Sequence, residues 1–80
     1  MKEITNETVD EFIRMNLDKD VEIVSIERNE KPNDEDESKL DINYEVTLKE
    51  GALDKYDTEL DWLAAEFYSE YDCWLFFYEE

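Results

Sequence analysis

Residues 40–49, LDINYEVTLK, place Leu40, Ile42, Tyr44, Val46 and Leu48 at one parity and Asp41, Asn43, Glu45, Thr47 and Lys49 at the other. Successive side chains of a strand point to opposite faces, so this stretch reads as a half-buried β-strand with one apolar face and one wet face. Such a strand cannot stand alone. It needs neighbours for its backbone hydrogen bonds and a layer over its apolar side. A chain of 80 residues has material for about one such layer, because a domain this size buries only roughly 60–65% of its unfolded surface. A single domain over residues 1–80 is expected.

The other elements are read from the same kind of pattern. Thr5 suits a helix N-cap, and Ile4 before it can staple onto Val9. Val9, Phe12, Ile13 and Leu17 then recur at helical spacing, with Asp10, Glu11 and Arg14 turned outward, which predicts a helix over 6–17. Residues 21–29, VEIVSIERN, are β-branched, but Val21, Ile23, Val24 and Ile26 keep no single face, so this strand is expected to carry a bulge or to be buried on both sides. Residues 30–39, EKPNDEDESK, hold the only proline and four consecutive acids, and predict an acidic hairpin loop. The second strand spans 40–49 and stops at Gly51. Tyr56, Leu60, Leu63, Ala64, Phe67 and Tyr71 predict a second helix over 54–71, and the closing CWLFFYE a third strand over 73–79.

The order is α-β-β-α-β, an α+β domain with a three-stranded, mostly antiparallel sheet and two helices packed on one face. The third strand is expected beside the first as its antiparallel neighbour, which makes the first strand central. Tyr56, Phe67, Tyr71, Leu75 and Phe77 are assigned to the core. Both faces of the third strand are apolar and the helices cover only one, so a homodimer is expected through the other.

Charge is where this chain departs from an ordinary small domain. It has 25 Asp and Glu against 8 Lys and Arg, a formal net charge of −17. Solubility asks for only about 2 to 8 net charges. A disordered acidic tail would be poor in aromatics, whereas this chain holds two Trp, five Tyr and four Phe, with one Gly and one Pro. A halophilic protein would spread its acids without needing so many rings.

Several function classes are disfavoured on chemical grounds. Cys73 is the only cysteine and there is no histidine, so a disulfide within the chain, a cysteine-based zinc site and a His-activated thiol are excluded. No Gly-rich phosphate loop or nucleophile elbow is present, and an enzyme is not expected. No cofactor is implied. The acids suit calcium, and Asp34, Asp36, Ser38 and Glu45 match positions 1, 3, 5 and 12 of an EF-hand loop. Lys39 then stands where that loop needs Gly, Asp41 where it usually has an apolar residue, and strands flank it where helices should, so no metal ligand is assigned. Direct nucleic-acid binding is excluded by repulsion from phosphates. No apolar run approaches ~18 residues, which argues against a membrane span and for a cytoplasmic protein.

The placement of the acids says more than their number. At 100° per residue, Glu59, Glu66 and Glu70 lie on one flank of the second helix's apolar seam and Asp54, Asp57 and Asp61 on the other. Residues 51–80 hold nine acids and one base, Lys55, so the mixed-sign pairs of an ordinary solvated helix are missing. Along the axis, i to i+4 is about 6 Å and i to i+7 about 10.5 Å, near the phosphate repeat of one strand and its multiples. One helix is too sparse for a duplex, so a second line is expected from Asp41 and Glu45, or from the Asp34–Glu37 loop, or from a dimer mate. Trp62 and Tyr68 project away from the seam, where they could stack on a partner or pack in a dimer, and Trp74 could do either.

In size, charge and spacing of acids, the whole chain resembles, as a class, the phage-encoded DNA mimics that block host DNA-binding proteins. Known targets of that class are histone-like nucleoid proteins, restriction enzymes, uracil-DNA glycosylase and CRISPR effectors. The resemblance implies a non-catalytic inhibitor in the host bacterial cytoplasm, competing with DNA for a basic DNA-binding protein, with a nucleoid protein such as HU favoured. The contacts expected are Asp34, Asp36, Asp41, Glu45, Asp57, Glu59, Asp61, Glu66 and Glu70, with Trp62 and Tyr68 beside them. The alternatives are an immunity protein that plugs a cognate nuclease toxin and a calcium-responsive module.

Overall fold

The computed structural model describes residues 4–80. The order is α1 (Asn6–Asn16), β1 (Ile23–Pro32), β2 (Leu40–Leu48), α2 (Ala52–Lys55), α3 (Asp57–Tyr71) and β3 (Trp74–Glu79). The fold is α+β, with helices on one face of a three-stranded mixed sheet.

α1 begins as its sequence dictates. The Thr5 hydroxyl accepts the Thr8 N–H at 3.3 Å while the Thr8 hydroxyl accepts the Thr5 N–H at 3.2 Å, which satisfies two donors that helix geometry leaves open. Ile4 packs against the core, and Val9 and Ile13 are fully buried. Arg14 forms an i,i+4 ion pair with Asp10 at 2.7 Å and donates to the carbonyls of Lys19 and Val21, which closes the α1–β1 connection.

The expected strand order is corrected. The sheet runs β1-β2-β3: β2 is central, antiparallel to β1 and parallel to β3, so β3 does not lie beside β1. The chemistry of β1 explains this. It carries Glu27, Arg28, Glu30 and Lys31, runs on into Pro32 and bulges between Ile23 and Ser25, leaving Val24 exposed. Charges, a bulge and a proline belong to an edge strand, whereas β2 has no proline and can offer its main chain on both sides. On its core face Tyr44, Val46 and Leu48 are fully buried, paired across to Leu75, Phe77 and Glu79 of β3. Leu40, assigned to that face by alternation, is 56% exposed at the hairpin end, beyond the helices' cover.

The second helix is two. Gly51, at φ 94, adopts a left-handed conformation that costs glycine little. α2 follows at once, and Tyr56 (φ −116, ψ 24) breaks the run before α3. The Tyr56 hydroxyl donates to Asp18 at 2.8 Å, tying this break to the end of α1. α3 buries Leu60, Leu63 and Phe67, and Phe12 of α1 meets Phe67 edge-on at 5.0 Å between ring centres. The Asp72 cap, left-handed at φ 55, stops α3 and turns the chain into β3.

Two outcomes follow. Leu63→Ala removes a fully buried side chain of α3 and should cost about 2–5 kcal/mol by urea denaturation. Asp18 accepts the Asp20 N–H and the Tyr56 hydroxyl, which hold its carboxyl below the ordinary aspartate range. A lowered folded-state pKa gives stability that is present above the unfolded value and lost as pH falls through the folded one. Tyr56→Phe should therefore lower the thermal midpoint at neutral pH, and its deficit should shrink once Asp18 is protonated.

Candidate functional site

The face of the sheet that the helices leave open is built by strand alternation. With Leu75 turned into the core, Trp74, Phe76 and Tyr78 point the other way and are 49%, 45% and 48% exposed. They lie beside Asn43, Glu45 and Thr47 of β2, and β1 adds Glu27 and Asn29 across the sheet. Tyr68, near the end of α3, stacks on Trp74 with ring centres 4.3 Å apart. The Asp72 carboxylate, by its charge and a hydrogen bond, raises the Tyr68 hydroxyl above the ordinary tyrosine pKa, and Asp41 adds to this. Tyr68, Trp74, Asp41 and Asp72 thus share one shallow groove.

The acids of α3 sit where helical phase puts them. Five carboxylates, Asp57, Glu59, Asp61, Glu66 and Glu70, occur among its 15 residues with no base, and all five residues are exposed. Asp57 and Asp61 border a groove floored by Leu60, Ala64, Leu75 and Phe77. Glu59, Glu66 and Glu70 lie on the opposite flank of the buried Leu60–Leu63–Phe67 seam. Asp57 and Glu59 in the first turn suit the helix dipole, whereas the last turn carries no base to balance it. Trp62 is 56% exposed on the outer side.

Asp34 and Asp36 are exposed in the hairpin loop, which is organised by its own side chains. The Asn33 side-chain oxygen accepts the N–H groups of Glu35 and Asp36 at 2.8 and 3.0 Å, and its amide donates to Asp41 at 3.1 Å. Asp36 accepts the Ser38 hydroxyl at 2.6 Å and the Ser38 N–H, which lower its pKa. Strands flank the loop, and among the described residues no three acidic or cysteine side chains converge on a metal position. Cys73 is buried, and desolvation pushes its thiol up, away from the reactive thiolate.

Several basic side chains are committed elsewhere. Arg14 pairs with Asp10, Arg28 with Glu30 at 2.7 Å, and Lys49 with Glu22 at 3.2 Å, while Lys55 lies over the Tyr56 ring. The nine expected acids therefore form no single line. They fall into the α3 flanks, the open-face pair Asp41 and Glu45, and the loop pair Asp34 and Asp36. Tyr68 joins Asp41, but Trp62 stands apart from both. The uncovered apolar face expected of the third strand is present as Trp74, Phe76 and Tyr78, although Phe76 and Tyr78 are not among the contacts expected from the sequence. The signal was present, because fixing Leu75 and Phe77 in the core sends 74, 76 and 78 outward.

Comparison with protein-family models, curated proteins and solved structures finds no match.

Tyr68 offers a direct check of this geometry. A raised folded-state pKa keeps the phenol neutral, so the stability it adds is lost as pH rises from the unfolded tyrosine value through the folded one. Ultraviolet titration of the native protein against Asp72→Asn should show a late tyrosine ionisation that the substitution moves back toward the ordinary tyrosine range. A titration unchanged by that substitution would contradict the contact.

Proposed function

We propose that this protein is a non-catalytic DNA mimic: an inhibitor that occupies the basic DNA-binding surface of another protein and competes with DNA for it. The observation that carries the reading is linear charge density. The described residues extend 39 Å along their longest axis and carry the whole net charge of −17, since Met1, Lys2 and Glu3 contribute none on balance. That is one net charge per about 2.3 Å, against roughly 1.7 Å along duplex DNA. The 39 Å axis matches about eleven base-pair steps. The acids of α3 are held by a packed seam, so they are presented without the entropy cost of ordering a loose acidic tail.

A histone-like nucleoid protein such as HU is the favoured class of target, because it offers a broad basic surface with no base-specific contacts to reproduce. Restriction, repair and CRISPR proteins share the charge logic. The exposure of Trp62 favours one second reading, an immunity protein that inhibits a nuclease toxin through an aromatic anchor.

Titration against purified HU separates these. A mimic should lose about a hundredfold or more in affinity between about 50 and about 200 mM salt and be displaced by duplex DNA. Glu59→Gln, Asp61→Asn and Glu66→Gln should each weaken binding modestly and together steeply, with Trp62→Ala costing under about 1 kcal/mol. Salt-independent affinity for HU and the other DNA-binding targets would sink the mimic. A loss of several kcal/mol from Trp62→Ala against a nuclease would favour the antidote.

A further inference from the structure

The two edges of the sheet differ in a way that points to a docking site. β1 carries the devices that keep an edge from pairing: a bulge, Pro32 and charges of both signs. β3 carries none of them along Trp74–Tyr78, and its only charged residue is Glu79. Its inner side is taken by β2, where the Glu80 N–H donates to the Leu48 carbonyl at 3.0 Å. Main-chain groups alternate sides along a strand, so the even positions face β2 and Leu75, Phe77 and Glu79 turn theirs to the free edge.

A groove of about 300 Å³ lies against that edge. Leu75 and Phe77 line it from the core face of β3 and Phe76 from the open face, which requires the groove to wrap the strand's outer side. Its far wall is helical: Leu53, Leu60 and Ala64 are apolar, and Asp57 and Asp61 stand at the rim.

We infer that the outer edge of β3 accepts an extended basic segment of the protein partner as a fourth strand. The added strand would hydrogen-bond to the main chain of Leu75, Phe77 and Glu79. Its helix-side lysine or arginine residues would lay their stems along Leu60 and Ala64 and bring their charges to Asp57 and Asp61. Side chains of the other parity would meet Phe76 on the open face.

Charge decides the occupant. A second copy would bring another −17 and, in its own β3, no base to answer Asp57 and Asp61. The acidic rim thus opposes self-pairing and favours a cationic strand. This inference rests on the reading that the partner is basic.

The test uses the whole ¹⁵N-labelled protein and a peptide of about eight residues alternating lysine and valine, with a control of equal charge whose alternate amides are N-methylated. The parent peptide should protect the amides of Leu75, Phe77 and Glu79 from exchange and bind about tenfold or more tighter than the control. Asp57→Asn with Asp61→Asn should weaken it, and Lys55→Gln should not. Equal binding by both peptides, with shifts confined to the α3 acids, would overturn strand addition while leaving competition with DNA intact. Absence of binding by either peptide would also overturn it. A free protein that sediments as a dimer with those amides already protected would assign the edge to a second copy. Conversely, edge protection by the peptide in a protein that competes with DNA for none of these DNA-binding targets would sink the proposed function alone.

Discussion

The complete burial of Tyr44, Val46 and Leu48 along β2 is the constraint on which everything else depends. Three large side chains on one face of one strand must be covered by helices above, while the strand's main-chain groups are paired by strands on both sides. Tyr44 brings a hydroxyl into that layer, and it is satisfied: it donates to the Ile4 carbonyl at 3.2 Å and accepts from Arg28 at 3.3 Å. Arg28 also donates to Ile4 at 2.9 Å, so a single buried phenol fixes the start of α1, the edge strand and the central strand together.

Against this core stands the mutual repulsion of the carboxylates. It is tolerated because the acids stay at the surface, where water and salt screen them, and no charged residue is buried among the described residues. α3 shows the division most clearly. Leu60, Leu63 and Phe67 hold the helix down, and the acids ride on flanks that phase alone determines. The aromatic contacts of Phe12 with Phe67 and Tyr71 brace the same helix against α1.

Much of this was legible in the chain. The parity of residues 40–49, the Thr5 cap and the seam of α3 are local patterns, and local patterns survive into the fold. Strand order is not local. Pro32 and the charges of β1 did signal an edge, but ending that strand at residue 29 hid the proline within it. The break at Tyr56 is tied to a partner 38 positions away, Asp18, a contact that no periodicity reveals. The site divided in the same manner. Helical phase located the α3 acids, whereas the meeting of Asp41 with Tyr68, and of Asp57 and Asp61 with the β3 edge, required the parallel pairing.

That pairing also sets an order in time. β2 gains its first neighbour by closing the short hairpin loop of residues 33–39, stiffened by Asn33, and its second only after residues 49–73 have folded back across the sheet. Loop-closure entropy favours the hairpin first, and the crossover is the late, nonlocal event. By loop-closure entropy the half of the molecule that bears the acidic helix is expected to assemble last. Its charge becomes a fixed pattern only when the final strand locks.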